Sequence, residues 1–165
     1  MSKITIKQGD LLDATEDVIC HQVNCSGIMK RGVAKQIKEA YPQVFKRYYD
    51  AVSRSSSPKE LLGQILMDEV DRKEGSQLII SLFSQLRFGS ELCIGSEQHY
   101  TNYAALGNAV SLMFEAISQI GVKSIAIPYG IGCGLDGGGD WEIVKEIFEF
   151  YSDKFNIPVV AYKLD

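Results

Sequence analysis

The sequence predicts an α/β domain with helices on both faces of a largely parallel sheet. Short β-rich apolar runs alternate with longer runs at helical spacing. The inner runs "DVICHQVN" and "KSIAIPYG" are apolar on successive residues, as strands covered on both faces are. Two glycine-bearing loops, "NCSGIMKRGVA" and "YGIGCGLDGGGDW", begin at the ends of those runs and lead into helical segments.

Each element follows from a local pattern. "KITIKQ" alternates as a strand does, and "DVICHQVN" is a buried strand entering a loop. "GVAKQIKEAYPQVFKRYYDAV" has helical spacing that Pro42 breaks or bends. "SRSSSPKE", residues 53–60, reads as a surface loop. "QILMDEV" and "SQLIISLFSQ" read as strands, and "YTNYAALGNAVSLMFEAISQIG" as a helix with Gly121 placed to cap its C-terminus. "DWEIVKEIFEFYSDKF" reads as a helix with Asp140 at its N-cap, and "PVVAYKL" as the last strand.

The 165 residues are expected to form one domain, residues 1–165, and suffice for a core without staples. No window holds the roughly 18 to 20 apolar residues of a membrane span. The opening "MSKITIKQGD" lacks the apolar centre of a signal peptide, so a cytoplasmic protein is expected. Cys20, Cys25, Cys93 and Cys133 make no CxxC pair. "CHQVNC" gathers Cys20, His21 and Cys25 without a second ligand pair, so no metal site is expected. A net charge of −4 and a pI near 5.2 argue against a general affinity for nucleic-acid polymers. They are compatible with a nucleotide held by backbone N–H groups.

Glycine lets backbone approach a ligand closely and adopt positive φ. A glycine-rich turn before a helix can aim several N–H groups at one anion, with the helix dipole behind them. Two such loops from neighbouring strands could clamp a diphosphate; the alternative is that they are only flexible turns. Neither loop has the GxxxxGK[ST] form of a P-loop. "GIGCGL" lies late in the chain, and no acidic residue follows at the end of a next strand, which argues against a dinucleotide fold.

Three stretches in order resemble the macrodomain family, the ADP-ribose-binding module: "ITIKQGDLLDA", "HQVNCSGIMKRGVAKQI" and "IAIPYGIGCGLDGGGDWEIV". The form "HQVN…GVA…IGCGL…W" is most similar to the branch with the terminal ADP-ribose protein glycohydrolase and a yeast ADP-ribose-1″-phosphate phosphatase. The resemblance implies a three-layer α/β/α macrodomain with a mixed, largely parallel sheet. It places Asp10 at the adenine and Asn24 at the distal ribose, and counts Leu11 among the ligand-binding residues. It sets Gly27, Gly32 and Val33 along the ribose and diphosphate. Gly130, Ile131, Gly132, Cys133, Gly134 and Leu135 become the second phosphate loop, and Tyr162 an aromatic packed on adenine. Asp136 matches a catalytic Asp, and His21 a catalytic His. Where the glycohydrolase has an attacking lysine, this chain has Gln85 or Ser84, and neither can form a Schiff-base-like adduct.

The implied function is binding of ADP-ribose and hydrolysis of its derivatives at the distal ribose: a 1″-phosphate, an O-acetyl ester or protein-linked ADP-ribose. The alternative is a reader module without turnover. No cofactor and no membrane contact are expected. The expected protein is a monomer whose partners are ADP-ribose or a derivative and, as a candidate, an ADP-ribosylated protein.

Overall fold

A computed structural model describes residues 4–72, 75–86, 101–133 and 139–164. In chain order these are β1 (Ile4–Gln8), a 3-10 turn (Leu11–Asp13), β2 (Val18–Asn24), α1 (Gly32–Ala40), α2 (Pro42–Arg54), α3 (Pro58–Leu61), β3 (Ile65–Arg72), β4 (Gly75–Gln85), α4 (Tyr103–Ser118), β5 (Ile125–Pro128), α5 (Trp141–Phe155) and β6 (Val159–Lys163). The strands form one sheet in the order β1-β6-β5-β2-β4-β3. Its pairs are parallel except β3 against β4, which is antiparallel.

Alternation along the strands sorts side chains between two cores. Val18, Cys20, Ile80, Leu82, Ile125 and Ile127 pack with α4 and α5 residues such as Met113, Phe114 and Phe148. Their neighbours Ile19, Ile79 and Ala126 pack on the other face with Ile37 of α1 and Val44 of α2. Strands covered on both faces need apolar residues at consecutive positions, and β2 has them.

The helix boundaries have local causes. Pro42 sits at the first turn of α2, where its missing N–H costs nothing, and α1 ends at Ala40. Asp140 Oδ1 accepts from Glu142 N at 2.9 Å and starts α5 as expected. Asn102 Oδ1 does the same for α4, accepting from Ala105 N. Residues 53–60 are not one loop, however. α2 runs to Arg54 and a short α3 begins at Pro58, with the Glu60 carboxylate accepting Ser56 N–H at 2.7 Å.

After β2 the chain turns toward β4 and β3, and after β5 toward β6. β2 and β5 are adjacent. The crevice beyond their carboxyl ends is therefore a topological switch point, where open α/β sheets place ligands.

Candidate functional site

A cleft of about 390 Å³ opens at that switch point. His21 to Asn24 of β2, Gln85 of β4, Ile28, Lys30 to Ala34 and Pro128 to Gly132 line it.

The first loop is built on Asn24 and Tyr48. Tyr48 of α2 is completely buried. Its hydroxyl lies 2.7 Å from Asn24 O and 2.6 Å from Asn24 Oδ1, and accepts from Gly27 N and Ile28 N, each at 3.1 Å. Asn24 Oδ1 accepts Ser26 N–H at 3.0 Å, and Asn24 Nδ2 donates to Ile28 O at 2.9 Å. Asn24 lines the cleft, but its amide holds an Asx turn together. The Gly27 N–H points at Tyr48 and Gly27 does not line the cleft, unlike the expectation for it. Its φ of 82° serves the turn itself.

Beyond this turn the chain enters α1. The N-cap residue Arg31 gives the helix no side-chain hydrogen bond. The first-turn N–H groups of Gly32, Val33 and Ala34 have no partner within the helix, and these three residues face the cleft. They form an anion-attracting end, flanked by the exposed cations Lys30 and Arg31.

The second loop makes two consecutive four-residue turns. Ile131 N donates to Pro128 O at 3.1 Å, and Cys133 N to Gly130 O at 2.8 Å. The third residue of each turn is a glycine with positive φ, Gly130 at 71° and Gly132 at 78°, as a type II turn requires. Ile131 and Cys133 amides are therefore engaged within the loop. Gly130 N and Gly132 N take no hydrogen-bond partner among the described residues. Thr101 braces the loop: its hydroxyl donates to Gly132 O at 2.6 Å and accepts from Gln22 Nε2 at 2.9 Å. Cys133 is half-buried, and burial first, then Asp140, pushes its thiol up to about 11. A thiolate nucleophile is not available there at neutral pH.

Asp10, Leu11 and Tyr162 gather at the ends of β1 and β6. Asp10 Oδ1 accepts Leu12 N–H at 2.9 Å, and Leu11 is buried. The Tyr162 hydroxyl donates to Glu16 Oε1 at 2.6 Å; burial and Glu16 push its pKa up to about 12. None of these three residues is part of the cleft lining. Tyr162 O accepts from Tyr129 N at 2.8 Å, and Tyr129 is a cleft wall. Gly134, Leu135 and Asp136 lie outside the described residues.

The geometry does not support the acid-base role expected of His21. The residue is 1% exposed, its Nε2 lies 2.9 Å from Ser81 Oγ, and its Nδ1 has no partner among the described residues. Burial lowers its pKa from 6.5 to about 3, so the ring is neutral at physiological pH. This arrangement makes stability depend on acid. The unfolded chain takes up the proton near pH 6.5, while the folded chain takes it up only near pH 3. The contribution is complete above about pH 6.5 and is lost toward pH 3, by about 1.4 kcal/mol per pH unit. Urea melts from pH 7 to 4 should show a shallower decline for His21→Gln than for the wild type; equal slopes would contradict a neutral buried ring.

Sequence patterns missed Gln22, Tyr48 and Thr101. Gln22 had a signal, as a polar residue inside the largely apolar run "DVICHQVN". Tyr48 and Thr101 had none, because both act on loops distant in sequence.

A model described as "Macro domain" matches residues 20–148. The chain is 27% identical over 144 residues to a DNA ADP-ribosyl glycohydrolase of Mycobacterium tuberculosis, covering 87% of this chain and 37% of that protein. It is 26% identical over 166 residues to a DNA ADP-ribosyl transferase-DNA ADP-ribosyl glycohydrolase fusion protein of Thermosipho africanus, covering 96% of this chain and 41% of that one. The chain thus spans about two-fifths of the length of these curated relatives. Among solved structures, the macrodomain of Mycobacterium tuberculosis DarG superposes with a TM-score of 0.80 at 26% identity, covering 96% of each chain.

Proposed function

The chain belongs to the Macro domain family, and from that premise we propose that its cleft binds ADP-ribose and that the protein hydrolyses ADP-ribose derivatives at the distal ribose. One observation carries the reading. Two sets of main-chain donors, the first turn of α1 and the glycines of the second loop, converge on one cleft at the β2–β5 switch point. A diphosphate fits between them, because each set favours a negative oxygen and neither requires a charged side chain. Asp10 and Tyr162 then take the adenine, beyond Tyr129. The distal ribose lies toward Asn24 and Gln85.

Hydrolysis requires water to attack the atom at the scissile bond, C1″ of the distal ribose in a glycosidic linkage or the phosphorus or acyl carbon in an ester, while the bond to the departing group breaks. Asp136 is the candidate base: it takes a proton from that water as the bond breaks and passes the same proton to the departing group, which returns the carboxylate to its starting state. Gln85 lines the cleft and is an amide, so no covalent amine adduct forms on it. His21 acts as a neutral strut under the cleft.

The curated relatives carry DNA in their names, which supports a second reading of the departing group as a nucleic acid. Lys30 and Arg31 favour it, since they place positive charge at the cleft on a chain of net charge −4.

The test is a substrate panel of ADP-ribose 1″-phosphate, O-acetyl-ADP-ribose, glutamate-ADP-ribosylated protein and ADP-ribosylated DNA. Turnover of at least one is expected. Asp136→Asn should lower it by about a hundredfold or more while ADP-ribose affinity stays within a few-fold. Binding without turnover of any substrate would make the protein a reader. Undiminished turnover by Asp136→Asn would remove that residue from the chemistry.

A further inference from the structure

A second concavity, of about 820 Å³, runs along the outer face between α4 and α5. α5 carries two apolar stripes. Val144 and Phe148 face the sheet and are fully buried. Ile143 and Phe150, two turns apart, line the groove instead and are 41% and 61% exposed, while Ile147 between them lines the groove and also packs on the core. The packing of α5 on the sheet accounts for Val144, Ile147 and Phe148 but not for the exposed Ile143 and Phe150. The facing side of α4 is open at Gly107, where a Cβ would meet no atom within 4 Å outside its own helix. That leaves room for another backbone to come close.

The groove is charged on one side only. Glu146, Glu149 and Asp153 line it, and among the described residues no Lys or Arg does. We infer that this groove docks a basic amphipathic helix of a partner protein, whose apolar residues meet Ile143, Ile147 and Phe150 while its lysines or arginines meet the three acids. Apolar anchors in a groove supply the affinity, and the charge pattern selects orientation and partner.

The probe is a fluorescein-labelled Leu/Lys amphipathic peptide, with a scrambled peptide of the same composition as control. Anisotropy should show saturable binding of the amphipathic form. The scrambled form, the variant Gly107→Trp and the double variant Glu146→Lys/Glu149→Lys should each bind at least about tenfold more weakly. Circular dichroism and Tm verify that the variants are folded; Gly107→Trp points into open space and adds helix propensity. Equal binding of the scrambled peptide would reduce the effect to net charge and overturn the proposal. So would unchanged affinity in folded Gly107→Trp. Sedimentation showing a wild-type dimer that Gly107→Trp abolishes would make a second copy the occupant, which also overturns it.

Discussion

Gly132→Val should remove most ADP-ribose binding while leaving the domain folded. At φ 78° a β-branched side chain is strained by about 1–3 kcal/mol. A Cβ there would also lie 3.1 Å from Thr101 Oγ1 and 3.4 Å from the Gln22 amide. Thr101 cannot withdraw without giving up its 2.6 Å bond to Gly132 O. The turn must therefore open, and the Gly132 N–H leaves the cleft with it. A loss of about 2 kcal/mol of binding free energy, roughly thirtyfold in Kd, is the expected calorimetric result. Wild-type affinity in this variant would mean that the second loop does not hold the ligand.

Tyr48→Phe should be the most destabilising conservative change near the cleft. The ring would stay packed against Phe83, its neighbour at 5.7 Å. Only the hydroxyl is lost, yet it accepts two backbone N–H groups and donates to Asn24. Buried donors left without partners cost about 1–3 kcal/mol each, so a total near 3 kcal/mol is expected. For a domain of this size that lowers Tm by roughly 6–12 °C. Affinity for ADP-ribose should fall as well, because Asn24 and Ile28 lose the brace that fixes them at the cleft wall. A Tm within a degree of wild type would show that the first loop is held by something other than this hydroxyl.

The two loops also show where sequence reading succeeds and where it stops. The sheet was legible because strands covered on both faces require apolar residues at successive positions, and β2 and β5 have them. Asp140 and Pro42 were legible because capping and helix initiation are local chemistry. Gly27 and Gly132 look alike in sequence, since both permit positive φ. Only the fold separates them: Gly27 turns its N–H inward to a tyrosine on α2, while Gly132 keeps its own beside the cleft. Asn24 was equally ambiguous, because an amide suited to a ribose is suited to an Asx turn, and here it closes the turn.

The neutral state of the buried His21 ring is a property that composition does not carry. Its neighbours in β2 indicate a buried strand, but the size of the desolvation depends on how completely the rest of the fold, Ser81 of β4 included, closes over it. The overall acidity of the chain, similarly, hid both a basic rim at Lys30 and Arg31 and an acidic groove along α5. Net charge sums over surfaces that ligands meet one at a time.

The claim beneath the functional reading is that backbone amides at the ends of β2 and β5 receive the ligand's diphosphate. An ¹⁵N amide titration with ADP-ribose measures this directly. The resonances of Gly32, Val33, Gly130 and Gly132 should move together and saturate at one stoichiometric site. If those four stay in place while other amides respond, the ligand sits elsewhere and the cleft assignment is contradicted.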